Sequence, residues 1–154
     1  MSKENNNNQY LLFLVGGDLY AIEALKTSEI VEYSHVTKVP LMPSFVKGVT
    51  NIRGNIVPVV DMLNRIGIGE TSIGEKTSIV VINHLDDGDI TQMGILIDEV
   101  YEVDYIQPEN TKPKPDFGAK FDKKFIDKMG KYEGNYITIL DTQALLNIEE
   151  LSKN

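Results

Sequence analysis

The feature that most constrains this fold is a short segment that occurs twice. Gly54–Asp61 (GNIVPVVD) matches Gly134–Asp141 (GNYITILD), and the two copies lie 80 residues apart. Each copy consists of Gly-Asn, a five-residue run typical of a β-strand, and an aspartate followed by a leucine-containing segment that predicts a short helix. Because recurrence of a segment at a distance is typical of chains built from similar units, the sequence predicts two similar lobes.

A weaker similarity relates the segment from Tyr20 to Val31 to Gly94–Val100. Chance similarity between two pairs of strands is the alternative explanation of these repeats. The glycine-containing stretch 66–76 is the predicted approximate boundary between the lobes. Since small barrels often exchange terminal strands, the first predicted strand, Tyr10–Val15, is a candidate for a place in the other lobe.

Short apolar or alternating runs separated by turns favour a sandwich or barrel over a sheet of alternating strands and helices. Pro58 lies inside a predicted strand, Ile56–Val60, and since proline cannot donate to a ladder it indicates an edge, a bulge or a strand end. Helices are predicted at Lys123–Met129 and, with Asp141 as cap, at Thr142–Leu151. The other predicted strands are Tyr10–Val15, Leu19–Ile22, Glu29–Tyr33, Thr77–Asn83, Thr91–Ile97, Glu99–Ile106 and Tyr136–Leu140.

Composition excludes several classes of protein. The 154 residues contain no cysteine, which excludes disulfides, thiolate zinc sites and a cysteine nucleophile and fits the cytoplasm. The net charge of −8 would repel a phosphate backbone, so a small-barrel nucleic-acid binder is disfavoured. No apolar run approaches the roughly 20 residues of a membrane helix, so we expect no direct membrane insertion. The polar residues 1–9 predict a disordered tail, and 10–151 a single domain.

No pattern in the sequence predicts a catalytic residue, a metal site or a cofactor. His35 and His84 are 49 residues apart, and neither lies in a motif with a nucleophile or an orienting acid. The run Asp86–Asp89 lacks the alternating ligands and closing glutamate of a calcium loop and is explained by a hairpin turn. The basic stretch Lys112–Lys128 is interrupted by aspartates, which favours a solvated loop over a binding patch.

The most distinctive stretch is Phe45–Asp61, which surrounds an arginine with flexible residues. Gly48 and Gly54 permit positive φ or a close backbone approach, and Asn51 can hydrogen-bond its own loop. Arg53 carries a planar donor fork suited to a carboxylate or to carbonyl groups of a partner. Physical chemistry alone leaves two interpretations open: Arg53 contacts a partner, or it pairs with an acidic neighbour and only pins the loop.

At this stretch the chain resembles the CheW family of bacterial chemotaxis coupling proteins. The family signature Gly-Val-x-Asn-Leu-Arg-Gly-x-Ile-x-Pro-Val-x-Asp stands here as Gly48–Asp61, with Ile52 in place of leucine. A second, weaker match runs from Tyr20 to Ile30, with Ala21 replacing glycine and Thr27 replacing valine. Gly94–Val100 is a third, and together the matches extend over nearly the whole chain, from Tyr10 to Leu151.

The resemblance implies a mainly β fold, with two five-stranded SH3-like barrels around a shared hydrophobic core and a short C-terminal helix. It also implies a non-enzymatic adaptor that couples transmembrane chemoreceptors to the histidine kinase CheA in membrane-associated arrays. The cytoplasmic helical tip of the receptor would lie in the groove between the lobes. The regulatory domain of the kinase would dock on the first lobe.

Residues are carried over only where they match the family motifs. The receptor-facing residues implied in this way are Glu29, Ile30, Val49, Asn51, Arg53, Gly54 and Gly94. Met42, Phe45 and Ile56 are the kinase-facing candidates, although no short motif marks them and ordinary core packing is the alternative for all three. Two other functional hypotheses remain: a CheW-like regulatory module of a larger kinase or receiver-fused protein, and the disfavoured nucleic-acid binder.

Overall fold

The computed structural model describes residues 8–116 and 120–147. Within them, eleven strands and two short helices form the fold, joined by 3₁₀ turns at Ala24–Lys26, Pro108–Asn110 and Lys123–Phe125. The helices are α1 (Met62–Arg65) and α2 (Thr142–Leu145). The strands are β1 (Gln9–Val15), β2 (Asp18–Glu23), β3 (Thr27–Glu32), β4 (Val46–Ile52), β5 (Asn55–Asp61), β6 (Ser78–Asp86), β7 (Asp89–Ile97), β8 (Glu99–Tyr105), β9 (Thr111–Pro113), β10 (Ile126–Tyr132) and β11 (Asn135–Leu140).

The strands form two sheets, which confirms the predicted mainly β class. A five-stranded sheet has the order β3-β6-β7-β5-β4, and with α1 we call it the first lobe. A six-stranded sheet has the order β8-β1-β2-β11-β10-β9, and with α2 we call it the second lobe. The N-terminal hairpin thus lies among C-terminal strands, an exchange that the sequence allowed. In the described residues no ladder joins the outer strands of either sheet, so the barrels are not closed.

The sequence repeat is also a structural repeat. The hairpin β4–β5 turns at Arg53-Gly54 with φ of 53° and 87°, and β10–β11 turns at Glu133-Gly134 with φ of 48° and 85°. After each hairpin an aspartate caps a short helix: Asp61 accepts the backbone N–H of Asn64, and Asp141 accepts that of Ala144. The two units therefore have the same turn, strand and cap, as the match between the two segments predicts.

Several predicted elements differ from the observed ones. The predicted helix Lys123–Met129 is wrong: only Lys123–Phe125 is helical, and Ile126–Tyr132 is β10, paired with both β9 and β11. Residues 46–52 form a strand, β4, although Gly48 and Asn51 weaken the local β pattern. The strands β6 and β7 are longer than predicted and meet at a two-residue Asp87-Gly88 turn.

Two further predictions concern chain termini and proline. The last helix spans Thr142–Leu145 and ends with Leu146 as its C-cap, so its predicted continuation through 146–147 is wrong, and the predicted part from 148 to 151 lies outside the described residues. Pro58 lies in a strand between β4 and β7, but the parallel ladder to β7 begins only at the next residue, Val59. The proline therefore stands at the end of a ladder, where its missing N–H costs little.

Other expectations about chain organisation stay predictions. Most of the predicted tail 1–9 lies outside the described residues, although Gln9 already begins β1. The predicted boundary 66–76 separates the two repeats, whereas the chain changes sheets between β2 and β3 and again between β7 and β8. In the described part of the chain, every helix is too short or too polar to cross a membrane.

A shared core joins the two lobes. It takes buried side chains from both sheets and both helices, and burying an aliphatic or aromatic side chain stabilises by about 1.5–3 kcal/mol each. Smaller clusters fill the interior of each lobe. The buried members of the shared core are Leu11, Phe13, Val15, Tyr20, Ile22, Val46, Val60, Met62, Ile66, Val80, Ile82, Met93, Ile95, Ile97, Phe125, Leu140, Leu145 and Leu146.

Replacing Thr27 with valine is expected to raise the free energy of unfolding by about 1 kcal/mol. Among the described residues, the Thr27 hydroxyl is a buried side-chain oxygen without a hydrogen-bond partner, and valine removes it at almost the same shape. Urea unfolding at 25 °C measures the change. The control Thr50→Val removes a hydroxyl that donates to the His35 carbonyl at 2.6 Å and should destabilise instead. A loss of stability in Thr27→Val would contradict the argument.

Stability is expected to fall as the pH drops below about 6.5, and His84 is a cause. Burial lowers the pKa of His84 below 6.5, partly offset by Asp86, so the unfolded chain binds the proton more readily than the folded one. Urea unfolding at about pH 7.5 and about pH 5.5 measures the loss. Between the two pH values, His84→Gln should lose less stability than the wild type does. The exposed control, His35→Gln, should lose as much stability as the wild type. Equal losses in all three proteins would refute this cause.

Candidate functional site

The turn between β4 and β5 holds an arginine in a conformation that favours glycine. Arg53 has φ of 53°, and the next residue, Gly54, has φ of 87°. The side-chain oxygen of Asn51 accepts the backbone N–H of Gly54 at 2.9 Å and so stabilises the turn. A non-glycine residue with positive φ costs of order 1 kcal/mol and persists where the surrounding structure holds it. The turn therefore presents the Arg53 side chain in a defined direction.

Arg53 is paired and still largely exposed. Its Nε donates to Oε1 of Glu29 on β3 at 2.9 Å, while 77% of the Arg53 side chain remains accessible against 24% for Glu29. An exposed pair of this kind contributes about 0–1 kcal/mol to stability. The observed pair fits the interpretation in which Arg53 pairs with an acidic neighbour, while the exposure leaves the guanidinium accessible to a partner.

A cavity of about 240 Å³ adjoins this pair. It lies between β3 and β4, the outer strands of the first lobe, where the sheet does not close. Buried apolar side chains, among them Ile52 and Ile79, form part of its wall beside the charged rim. The site is therefore a small hollow with apolar surface and one oriented cation. Its lining residues are Glu29, Val31, Glu32, Ser34, Thr50, Asn51, Ile52, Arg53 and Ile79.

The structure brings together four of the seven predicted receptor-facing residues, namely Glu29, Asn51, Arg53 and Gly54. Ile30 lies next to Glu29 on β3, points to the opposite face and is 40% exposed. Val49 lies opposite Pro58 on β5, outside the cavity. Gly94 is buried in β7, where an added Cβ would lie 2.7 Å from Ile79 Cγ2. Close packing therefore explains the glycine at position 94 without a partner.

The three predicted kinase-facing residues differ in exposure. Met42 is 41% exposed and Ile56 is 65% exposed, so both offer apolar surface. Phe45 packs against the shared core with the guanidinium of Arg65 over its ring at 4.5 Å, which fits the alternative of ordinary core. Sequence reasoning missed Leu41, which is fully exposed at φ of 65° directly before Met42.

The equivalent site in the second lobe has the opposite charge. Glu133 stands in its turn where Arg53 stands in the first lobe. Beside this turn the Tyr132 hydroxyl donates to Glu102 on the outer strand β8, and this bond, together with burial and the neighbouring carboxylates, raises the pKa of Tyr132. The exposed cation is thus a property of the first lobe, and the sequence repeat is the signal that reveals the contrast.

A second cavity, of about 280 Å³, lies on the second lobe beside β2 and β11. Aromatic side chains, including Tyr20, Phe121 and Tyr136, form part of its wall, and Lys120 pairs with Asp18 at 2.9 Å. Burial and the nearby Asp18 raise the pKa of Tyr20 to about 12, so its hydroxyl stays neutral. In the described residues, no group of three or more histidine or carboxylate side chains could hold a metal ion.

Comparison with known proteins agrees with this architecture. The family model described as CheW-like domain matches residues 9–150. The chain is similar to the chemotaxis protein CheW of Klebsiella aerogenes, with 30% identity over 152 residues, 99% of this chain and 89% of that protein. It is also similar to CheW of Bacillus subtilis, with 28% identity over 139 residues, 90% of this chain and 86% of that protein.

A solved structure supports the same relationship. The crystal structure of the scaffolding protein TtCheW from Thermoanaerobacter tengcongensis matches with a TM-score of 0.82 and 28% identity. The match covers 90% of this chain and 92% of that chain, so it includes both lobes. These findings confirm the resemblance found in the motif around Arg53. The chain therefore belongs to the CheW-like family of chemotaxis scaffold proteins.

Proposed function

We propose that this chain couples transmembrane chemoreceptors to the histidine kinase CheA, acting by binding and without catalysis. The observation that carries the proposal is the Arg53 turn, an oriented and exposed guanidinium beside a partly apolar cavity. Arginine is among the residue types that most often dominate binding energy at interfaces. In this proposal the protein works in the cytoplasm and reaches membrane-associated arrays only through its partners.

The receptor's cytoplasmic helical tip is the proposed partner of the Arg53 site. A helix commonly binds a groove through an apolar stripe, with charged side chains at the rim. Ile30 supplies apolar surface on the face of β3 that continues toward the shared core, since it pairs with the core residue Val80. Val49, Asn51, Gly54 and Gly94 remain proposed members of the receptor-binding set, Gly94 through its packing.

The kinase's regulatory domain is proposed to dock on apolar surface of the first lobe. Leu41, Met42 and Ile56 are large apolar side chains with exposures of 102%, 41% and 65%. An exposed apolar side chain gains its burial energy when a partner covers it, about 25 cal/mol for each Å². Phe45 is kept in this set as a support beneath the surface, because it is half-buried against the shared core.

The double variant Leu41→Ser, Met42→Ser is expected to weaken binding of the CheA regulatory domain by about tenfold or more. The two substitutions remove exposed apolar area without touching the shared core. The matched control is Ile90→Ser, which removes a 71% exposed isoleucine elsewhere on the first lobe and should leave the affinity unchanged. Equal affinities of wild type and double variant would remove Leu41 and Met42 from the proposed surface.

Calorimetric titration of this protein with the CheA regulatory domain from the same cell tests the function itself. Saturable binding with a stoichiometry of about one to one is expected for an adaptor. Titration with a soluble fragment that contains the receptor tip tests the other partner. If the folded protein binds neither fragment, the proposed coupling role is wrong, although the fold and family would be unaffected.

A further inference from the structure

Arg65 is a buried arginine that connects the two repeats. It is the last residue of α1 and only 8% exposed. Its Nε donates to the carbonyl oxygen of Leu145 at 2.8 Å, and its terminal nitrogen donates to that of Ala144 at 3.0 Å. Both acceptors lie at the C-terminal end of α2. The side chain therefore extends from the helix of the first lobe to the helix of the second.

The guanidinium also lies between two equivalent aromatic rings. Its carbon is 4.5 Å from the centre of the Phe45 ring and 4.8 Å from that of Phe125. These phenylalanines are 80 residues apart, and each carbonyl accepts the N–H of a capping aspartate: Asp61 at 2.8 Å and Asp141 at 2.9 Å. Arg65 thus stacks on the same position of both repeats, at the place where the repeats meet.

Only the first of the two repeats has an arginine at this position. The position equivalent to Arg65 in the second repeat is Leu145, which is 1% exposed and belongs to the shared core. Its backbone carbonyl is one of the two acceptors of Arg65. The connection is therefore asymmetric: the first repeat supplies the donor, and the second supplies the acceptors.

The contacts of Arg65 restrict the orientation of one lobe against the other in a way that the apolar shared core does not. The free energy of apolar burial depends on the area buried and is non-directional, so by itself it does not specify one angle between the sheets. Hydrogen bonds depend steeply on angle, and a planar guanidinium stacked between two rings restricts rotation further. Arg65 is therefore a buried directional contact between the lobes, whereas the directional bond from Gln143 Nε2 on α2 to the carbonyl oxygen of Leu85 on β6, at 2.7 Å, is exposed.

We infer that Arg65 is a positioning residue that sets the angle between the two lobes, and through it the shape of the groove in which a partner would lie. The link to partner binding rests on the proposed function, because the family resemblance implies that the receptor tip lies in the groove between the lobes. The kinase surface at Leu41 and Met42 lies on the first lobe alone. Changing Arg65 should therefore weaken receptor binding more than kinase binding, where its contact is with Phe45 beneath the proposed kinase surface.

The angle between the lobes can be measured without any partner. The chain contains no cysteine, so Ile90→Cys on the first lobe and Glu109→Cys on the second, both exposed, give specific spin-labelling sites. Double electron–electron resonance then reports the distance distribution between them. Arg65→Met keeps a long side chain and removes the hydrogen bonds and the stacking, and it should broaden or shift this distribution. A folded Arg65→Met variant with an unchanged distribution overturns the inference.

Two further variants sharpen the test. Arg65→Lys keeps the charge and lacks the planar fork, so it should resemble Arg65→Met; a wild-type distribution would overturn the directional argument. If Arg65→Met does not fold, the Arg65→Lys variant can be used for the same measurement. Lys124→Met is the control, because the Lys124 ammonium lies 5.1 Å from the same Phe125 ring from an exposed position. A change in Lys124→Met as large as in Arg65→Met would overturn the special role of Arg65.

Titration with both partner fragments separates this inference from the proposed function. The Arg65→Met variant should bind the receptor-tip fragment about tenfold more weakly and show a clearly smaller loss of affinity for the kinase fragment. If wild type binds neither fragment, the proposed function fails, whereas the spectroscopic result still decides the role of Arg65. Equal receptor affinity in wild type and Arg65→Met, with altered distances, would overturn the link between lobe angle and binding.

Discussion

Replacing Arg53 with glutamate is expected to weaken binding of the receptor-tip fragment by at least about tenfold while the protein stays folded. The change puts a carboxylate next to Glu29, where the guanidinium now lies at 2.9 Å, and so reverses the charge at the rim of the cavity. Folding should survive because the exposed pair contributes no more than about 1 kcal/mol. Calorimetric titration measures the affinity, and circular dichroism checks the fold.

The second lobe provides a matched control for this variant. Glu133 occupies the equivalent turn at φ of 48°, close to the 53° of Arg53, so glutamate already adopts this conformation in the chain. Glu133→Arg makes the opposite charge change at a turn without a proposed partner and should leave receptor affinity within about twofold. Unchanged affinity in a folded Arg53→Glu variant would remove the turn from the receptor site.

Replacing Asp61 with alanine is expected to lower the free energy of unfolding by about 3 kcal/mol. The carboxylate is 2% exposed and accepts three hydrogen bonds, from the N–H of Asn64 at 3.5 Å and from the N–H and hydroxyl of Thr71 at 3.0 and 2.8 Å. Alanine would leave the buried donors of Thr71 without a partner and remove the cap of α1. Urea unfolding at 25 °C measures the loss.

Asp141→Ala is the control that separates the effect of losing a helix cap from the effect of losing the hydrogen bonds to Thr71. Asp141 caps α2 through the N–H of Ala144 at 3.1 Å, and within residues 8–116 and 120–147 it makes no side-chain bond like that of Asp61 with Thr71. Its loss should cost about 1 kcal/mol, the ordinary cost of removing a cap. Equal losses for the two variants would mean that the bonds to Thr71 contribute little, contrary to the argument from burial.

The repeat explains why much of the fold could be predicted from sequence. The turns at Arg53-Gly54 and Glu133-Gly134, the strands β5 and β11 and the capping aspartates depend on neighbours within eight residues, so their signals are local. The Arg53 motif was visible for the same reason, since Asn51 and Gly54 form the turn together. A local conformation depends on the propensities of adjacent residues, and these can be recognised from the sequence.

The misread strand shows where local signals fail. Residues 126–132 combine Lys128, Met129 and Lys131, good helix formers, with Gly130, which weakens a strand. They form β10 because β9 and β11 lie on either side and their ladders satisfy its backbone. Tertiary pairing therefore outweighed propensity. The glycine also has a packing reason, because an added Cβ would lie 2.9 Å from Ile139 Cδ1.

Some features of the candidate site could likewise be identified from the sequence, and others only from the structure. Sequence identified Arg53 and Glu29, but not that they form a pair across 24 residues or that Gly94 is buried by packing. Leu41 was missed because a leucine in a loop carries no motif, and its full exposure is known only from the folded chain. Arg65 was missed because Phe125 and the carbonyl groups of Ala144 and Leu145, which it contacts besides Phe45, are 60 or more residues away.

By itself, the sequence determined the β-rich class, the two repeated units, the cap at Asp141 and membership of the CheW-like family, because these depend on short-range patterns of residues. Only the tertiary structure decided that the N-terminal hairpin joins the C-terminal sheet, that Glu29 orients Arg53, and that Arg65 stacks between Phe45 and Phe125. The physical reason is that strand pairing and side-chain contacts between distant residues depend on how the whole core packs, which no short pattern encodes.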